Sequence, residues 1–156
     1  ACIDICPTNA FIDPWVLDAR KCISYLTIEF DGVIPESLRP AMGNRIYGCD
    51  DCQLVCPWNK FAQATSEPDF APRHDLDAID LVACFSWDES TFLSRTEGSA
   101  IRRIGFQQWR RNVAIALGNA ETSDAVITAL QAASDDPSEL VREHVRWALA
   151  QHVEKN

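Results

Sequence analysis

Cysteines in two short blocks are the feature that most constrains what this chain of 156 residues can fold into. The first block reads CIDICP at residues 2–7, and the second reads CDDCQLVCP at residues 49–57. One further cysteine, Cys22, lies between the blocks. In a chain without a secretory signal, closely spaced cysteines are more often metal ligands than a disulfide framework. We therefore expect the first part of the chain to fold around inorganic groups.

Both blocks end in Cys-x₃-Cys-Pro, which is the last part of the bacterial ferredoxin pattern C-x₂-C-x₂-C-x₃-C-P. In two-cluster ferredoxins the final cysteine of this pattern ligates the other cluster. This rule predicts that one [4Fe–4S] cluster is bound by Cys6, Cys22, Cys49 and Cys52. It assigns Cys2 and Cys56 to a second cluster, for which two more ligands are expected before residue 1. We therefore interpret the chain as a fragment that holds one complete cluster and one incomplete cluster.

Zinc is the alternative metal, because the pair Cys49 and Cys52 on its own would also suit a zinc site. Two Cys-x₃-Cys-Pro endings are unusual for zinc modules and favour iron–sulfur clusters. The seventh cysteine, Cys84, lies in the apolar segment Leu-Val-Ala-Cys-Phe, far from both blocks. We predict that it is a buried core residue without a metal.

Bulk properties limit the class of protein. The net charge of −9 argues against a uniformly basic nucleic-acid-binding protein. No apolar run approaches the roughly 18 residues of a membrane helix, and the first residues lack the pattern of a signal peptide. We therefore expect a cytoplasmic protein that does not enter membranes.

Proline and helix signals divide the chain into three regions. Residues 1–62 hold the cysteine blocks and several prolines, residues 63–80 read as a linker, and residues 81–156 carry helical periodicity. The predicted fold is mostly α, with a ferredoxin-like double-cluster module followed by an α-helical HEAT-like repeat domain.

The helical region shows start signals and an internal similarity. We expect a capping box at residues 86–89, a cap at Ser123 and another helix start at residues 136–139. Residues 110–118 and 142–150 share Arg, Val, Ala and Leu at equivalent positions. This similarity favours helix-pair repeats of the HEAT type, although two ordinary amphipathic helices could also match in this way.

Arginines are concentrated between residues 95 and 111, where Glu97 is the only acidic residue. Phe106 and Trp109 lie among them, and basic residues next to aromatic ones are typical of RNA-contacting surfaces. The alternative is a solvated helix face with core aromatics at helical spacing. The candidate RNA contacts are Arg102, Arg103, Arg110 and Arg111.

In residues 2–10, 18–29, 48–59 and 96–105 the chain resembles the epoxyqueuosine reductase family. The resemblance implies a cobalamin- and iron–sulfur-dependent enzyme that converts epoxyqueuosine to queuosine in tRNA. It also implies an N-terminal cobalamin-binding domain before the cluster module, an external electron donor and a monomeric protein. The family's acidic proton donor belongs to that N-terminal domain, so no catalytic residue is expected in this chain.

The resemblance suggests which residues contribute to the cobalamin or substrate surface. These candidates follow Cys22 or surround Cys49, and they are Ser24, Tyr25, Gly48, Asp50, Asp51 and Gln53. It also strengthens the prediction that the arginines contact tRNA. The predicted role of this segment is therefore electron relay together with tRNA binding.

Two other functions stay open. A module related to cobalamin-dependent reductive dehalogenases would share the paired clusters, but the helical repeat disfavours it. A non-enzymatic iron–sulfur or zinc module joined to an interaction solenoid would also fit the cysteines.

Overall fold

The computed structural model describes residues 1–74 and 76–154 and is mostly helical, as predicted. Short elements occupy the cysteine-rich part, because prolines and the cysteine blocks interrupt regular structure there. Its helices are α1 (Cys2–Ile5), α2 (Ile23–Ile28), α3 (Arg39–Met42) and α4 (Asp51–Leu54). A small antiparallel hairpin joins β1 (Phe11–Asp13) to β2 (Val16–Leu17). Short 3₁₀ helices lie at Ala19–Lys21, Glu36–Leu38, Pro57–Phe61, Pro68–Phe70 and Ala100–Ile104.

Longer helices form the second part of the chain. They are α5 (Leu81–Phe85), α6 (Glu89–Arg95), α7 (Gly105–Asn119), α8 (Asp124–Ala132) and α9 (Glu139–Glu154). Helix α7 lies at the centre, where it packs most extensively on α9 and also contacts α3, α5, α6 and α8. Its middle, from Val113 to Leu117, is almost completely buried. None of the helices in the described part of the chain is long and apolar enough to cross a membrane.

Close approach of α7 and α9 depends on Gly118. A Cβ atom at this position would lie 2.6 Å from the Trp147 ring and 2.9 Å from the Cα of Ala148. The two segments with similar sequences, 110–118 and 142–150, therefore lie side by side on α7 and α9. Three packed helices do not establish a stacked solenoid, so the HEAT-like repeat stays a prediction.

Both parts of the chain contribute to one hydrophobic core. Ile23, Leu26, Ile34 and Met42 from the cysteine-rich part belong to the same buried cluster as the residues of α7 and α9. The predicted boundary at residue 62 therefore does not separate two cores. Residues 63–74 are exposed and contain only the short 3₁₀ helix Pro68–Phe70. The linker over residues 63–80 stays a prediction.

Helix starts agree with the sequence at one cap and differ at another. Ser123 accepts a hydrogen bond from the Val126 N–H and caps α8, as predicted. The predicted capping box at residues 86–89 is wrong, because α6 begins at Glu89 and is capped by Asp88. The Ser86 hydroxyl instead donates to the Ala83 carbonyl at the end of α5.

Candidate metal centre

Four of the six predicted ligand cysteines surround one small cavity of about 90 Å³. They are Cys6, Cys22, Cys49 and Cys52. This is the same set that the ferredoxin pattern assigns to the complete cluster. The four residues come from three separated positions in the chain, so the fold and not sequence proximity brings them together. A larger cleft of about 690 Å³ lies at the start of α7 and α9, but no cysteine lines it.

Each of the four cysteines lies at or next to the end of a short helix. Cys6 directly follows α1, and Cys22 directly precedes α2. Cys49 lies two residues before α4, and Cys52 is the second residue of that helix. Because α1 packs against α4, the first and second cysteine blocks become neighbours.

The hairpin β1–β2 and the start of α2 supply the apolar wall of the cavity. Ala10, Phe11, Leu17 and Ile23 line it together with the four thiols. An apolar wall restricts water and lowers the local polarity, and both effects tune the potential of a metal group. The residues present therefore fit an iron–sulfur cluster held by four thiolates.

The Cys6 thiol forms hydrogen bonds within its own loop. The Ala10 N–H donates to Cys6 Sγ over 3.3 Å, and the Thr8 hydroxyl lies 3.8 Å from the same sulfur. Burial works against ionisation, but these hydrogen bonds prevail and hold the pKa of the Cys6 thiol below its ordinary value. The single proton of the Thr8 hydroxyl is donated to the Lys21 carbonyl over 2.6 Å, and this hydrogen bond ties the loop to the residue before Cys22.

Burial has the opposite net result at Cys49, Cys52 and Cys84, where it is the main cause of a raised thiol pKa. It raises the pKa of Cys49 and Cys52, and the neighbouring thiol of Cys22 raises both further. Thiols must lose their protons to bind iron, so cluster assembly at these two positions is coupled to proton release. Cys84 is completely buried, as predicted, and burial raises its pKa to about 11.

The two remaining cysteines lie outside the cavity. Cys2 is an exposed residue of α1, and Cys56 directly precedes the 3₁₀ helix Pro57–Phe61. Neither residue lines the four-thiol cavity, and their assignment to a second cluster stays a prediction. Within residues 1–74 and 76–154, no three His, Cys, Asp or Glu side chains are grouped so as to hold a single metal ion.

Three of the predicted cobalamin-facing residues have partners within the protein. The Ser24 hydroxyl accepts a hydrogen bond from the Cys49 N–H, and the Gly48 N–H donates to the Thr27 hydroxyl. Asp51 pairs with Arg45, with 2.6 Å between Oδ2 and Nη2.

The other three candidates lie at the surface or are only partly covered. Gln53 donates to Asp50 over 2.6 Å, and both side chains are accessible to solvent. Tyr25 is 36% exposed and its ring packs near Phe30. These three residues therefore stay available to a partner group, whereas Ser24, Gly48 and Asp51 mainly support the cysteine loop.

The structure separates the four candidate RNA-contacting arginines. Arg102 and Arg103 are exposed on the 3₁₀ helix Ala100–Ile104, and Arg103 pairs with Glu29. Arg110 pairs with Asp136 and its guanidinium lies over the Phe85 ring.

Arg111 is completely buried, which corrects its assignment as an RNA contact. Its guanidinium donates to the carbonyls of Leu26, Phe30 and Gly32. An arginine whose donors are used in this way supports the fold and does not face a partner. Helical periodicity could not show this, because the acceptors are backbone carbonyls of α2 and of the loop after it, far earlier in the chain.

Sequence reasoning also missed two buried hydroxyls near the cavity, those of Thr8 and Thr27. Threonine carries no chemical signature for metal binding, and its role here depends on contacts with distant backbone groups. Only the tertiary structure could identify them.

The cysteine-rich part of the chain is similar in sequence to known iron–sulfur proteins. The family described as "4Fe-4S double cluster binding domain" matches residues 1–59. Epoxyqueuosine reductase of Xanthomonas campestris is 64% identical over 151 residues, which make up 97% of this chain and 42% of the relative. Epoxyqueuosine reductase of Pseudomonas aeruginosa is 60% identical over 99% of this chain and 43% of its own length.

Over nearly its whole length the chain is similar to part of the epoxyqueuosine reductases. It spans about two fifths of the length of the curated relatives that it matches. A solved epoxyqueuosine reductase of Bacillus subtilis, with its catalytic loop swung out of the active site, superposes with a TM-score of 0.88 at 30% identity. The match covers 97% of this chain and 40% of that one. Another epoxyqueuosine reductase, solved with an epoxyqueuosine-modified tRNA stem loop, matches with the same TM-score of 0.88, identity of 30% and coverage.

Proposed function

We propose that Cys6, Cys22, Cys49 and Cys52 bind one [4Fe–4S] cluster, and that Cys2 and Cys56 contribute to a second. The observation that carries this proposal is the convergence of four thiols from three chain positions on one cavity. Four thiolates are the usual ligand set of such a cluster. The match of residues 1–59 to a double-cluster family supports the same assignment.

A bound [4Fe–4S] cluster supplies one-electron transfer. The chain's own residues hold and tune it. The thiolates fix its position, the Ala10 N–H donates to the Cys6 sulfur, and the hairpin β1–β2 limits access of water. Hydrogen bonds to sulfur and exclusion of solvent are two of the means by which proteins set cluster potentials.

We further propose that this segment relays electrons to cobalamin within a larger epoxyqueuosine reductase that acts on tRNA. High identity to enzymes of that name, over nearly the whole chain, supports this role. Tyr25, Asp50 and Gln53 are the residues best placed to meet the cobalamin or substrate, because their side chains are accessible beside the cysteine loops. The external electron donor and the monomeric state stay predictions.

Arg102 and Arg103 are the proposed tRNA contacts in this segment, because both are exposed and neighbour each other on one short helix. Arg110 is a weaker candidate, since its guanidinium is largely buried against Asp136 and Phe85, whereas the pair of Arg103 with Glu29 is exposed to solvent. The relative solved with a tRNA stem loop supports a tRNA-binding role for the family fold.

Cysteine substitution tests the cluster and the enzyme together. Anaerobic reconstitution of the chain should give about four irons per chain, because only one ligand set is complete. Cys22→Ser should lose most of this iron, whereas Cys84→Ala, which removes a thiol remote from the cavity, should retain it. In a full-length protein that contains this chain, Cys22→Ser should also leave epoxyqueuosine in tRNA unreduced.

Several outcomes would contradict the proposal. Stoichiometric zinc with no iron, or about eight irons per chain, would contradict the ligand assignment. Reduction of an organohalide with no change in epoxyqueuosine-tRNA, measured on the full-length protein, would exclude the reductase function.

A further inference from the structure

Two hydroxyl groups of α2 hold the chain that carries Cys49. Ser24 and Thr27 are three residues apart, so their side chains lie on the same face of the helix. The Cys49 N–H donates to the Ser24 hydroxyl over 3.0 Å. The Gly48 N–H donates to the Thr27 hydroxyl over 2.9 Å. Two consecutive backbone N–H groups are therefore bound by two side chains of one helix.

The Thr27 hydroxyl is itself fixed in place. It is completely buried, donates to the Ile23 carbonyl over 2.7 Å and accepts from the Gly48 N–H, so contacts on both sides hold its oxygen in place. The Thr27 carbonyl accepts from the Asn112 side-chain amide of α7 over 2.9 Å, and the same amide donates to the Ile46 carbonyl. The helical part of the chain thus supports α2 and the segment before Cys49 together.

The backbone conformation at Gly48 allows both N–H groups to face α2. Its φ of 77° lies in the left-handed region, which glycine adopts without strain. This turn directs the N–H groups of Gly48 and Cys49 toward α2. Because α2 starts directly after Cys22, contacts between α2 and residues 48–49 fix the position of Cys49 relative to Cys22.

We infer that Ser24 and Thr27 are positioning residues for the cluster, which set the spacing and orientation of the ligands Cys22 and Cys49. This inference rests on the proposed cluster-binding function and adds residues that touch neither iron nor sulfide. Groups that orient metal ligands commonly change metal affinity by about 10- to 100-fold when they are removed. Ser24 was predicted to contribute to the cobalamin or substrate surface, and we assign it instead to support of the loop that carries Cys49.

Thr27→Val tests the inference, because valine keeps the shape of threonine and removes only the hydroxyl. The reconstituted variant should lose iron to a chelator about 10- to 100-fold faster than the unaltered protein. Its reduced cluster should also show an altered electron paramagnetic resonance spectrum and a shifted reduction potential. Thr27→Ser, which keeps the hydroxyl, should restore the behaviour of the unaltered protein.

Thr96→Val is the matched control. Thr96 is also completely buried, and its hydroxyl donates to the Phe92 carbonyl four residues earlier, over 2.6 Å. Loss of this hydroxyl removes the same kind of helix contact without touching the cysteine loops. The control should retain the chelator rate, the spectrum and the potential of the unaltered cluster.

Ser24→Ala provides a second variant in case Thr27→Val does not fold, because Ser24 is only partly buried. It should accelerate iron loss in the same direction. Wild-type rates, spectra and potentials in every folded variant that lacks one of the two hydroxyls would overturn the inference. A wild-type chain that assembles no cluster would instead refute the proposed function, so the two failures can be distinguished.

Discussion

At the scale of single residues, several buried polar side chains form hydrogen bonds with backbone groups of the cysteine-rich part of the chain. Several backbone groups in the chain from α2 to α4 have no partner within their own short elements, and an unpaired buried group would cost about 1–3 kcal/mol. Side chains from α7 and α9 supply the missing partners. Arg111 binds three carbonyls, Asn119 donates to the carbonyls of Arg39 and Gly43, and the imidazole of His144 accepts from the Ile34 N–H.

His144 is held in one neutral form by its two contacts. One ring nitrogen, Nδ1, lies 2.7 Å from the Leu140 carbonyl and must donate, whereas Nε2 accepts from the Ile34 N–H over 3.2 Å. Burial is the main reason that the pKa of His144 falls to about 4, and nearby Arg39 and Arg111 lower it further. A second proton on the ring would oppose the Ile34 N–H.

This buried histidine predicts a loss of stability in acid. The unfolded chain binds a proton near the ordinary histidine pKa of 6.5, whereas the folded chain binds it only near 4. The contribution of His144 to the free energy of unfolding is therefore fully present above about pH 6.5. It decreases as the pH drops toward 4, by about 3 kcal/mol over that window. Urea unfolding between pH 4 and 7 would measure this slope.

Two variants isolate the contribution of His144. His144→Gln, which cannot titrate, should flatten the dependence of unfolding free energy on pH. His74→Asn, at an exposed position with positive φ that asparagine tolerates, should leave the slope unchanged. An identical slope in His144→Gln would show that other groups cause the acid sensitivity.

Helices α7 and α9 carry most of the packing at the scale of elements. Both have one buried face, and their contact brings the backbone of α9 against Gly118. A glycine inside a helix costs up to about 1 kcal/mol relative to alanine. That cost is offset here because the missing side chain allows the two helices to approach.

Gly118→Ala should therefore destabilise the protein despite the better helix propensity of alanine. The added methyl group would overlap the Trp147 ring and the Ala148 backbone, and overpacking of this kind costs about 1–3 kcal/mol. Thermal or urea unfolding would measure the loss. In a Trp147→Leu background the penalty should be smaller, since one obstacle has been reduced; an equal penalty in both backgrounds would show that the ring is not the obstacle.

Charge is distributed unevenly at the scale of the whole molecule. The chain carries a net charge of −9, yet Arg102 and Arg103 form an exposed basic site beside the shared core. Acidic surfaces repel nucleic acid, so under the proposed function tRNA would approach the chain at this local basic site. The proposed tRNA interface of this chain is therefore confined to the region around Arg102 and Arg103.

Replacement of both Arg102 and Arg103 by alanine should weaken tRNA binding in the full-length protein. If each arginine neutralises one phosphate, the slope of log affinity against log salt should fall by about two in total. Arg146→Ala is a suitable control, because this arginine is similarly exposed and also pairs with carboxylates, but lies on α9. Unchanged affinity and salt dependence in the double variant would remove the assigned role.

Much of the chemistry could be predicted from the sequence because it depends on residue type and spacing. The cysteine blocks and Cys22 predicted a set of four ligands, and these four residues line one cavity. The cap at Ser123 and the buried Cys84 were also predictable, since both depend on local pattern. The error at residues 86–89 had a local cause, because Asp88 and Ser86 are both good caps and only Asp88 lies next to the helix.

What the sequence alone determined about this protein is its metal chemistry, because thiols at fixed spacing retain that meaning in any fold that brings them together. Tertiary structure alone decided which polar residues support the thiols. Arg111 lies in a run of arginines yet is buried against carbonyls, and Thr27 has no distinctive neighbours yet binds the Gly48 N–H. Both outcomes depend on backbone groups distant in sequence, whose positions are set by packing of α2 and α7 in one core.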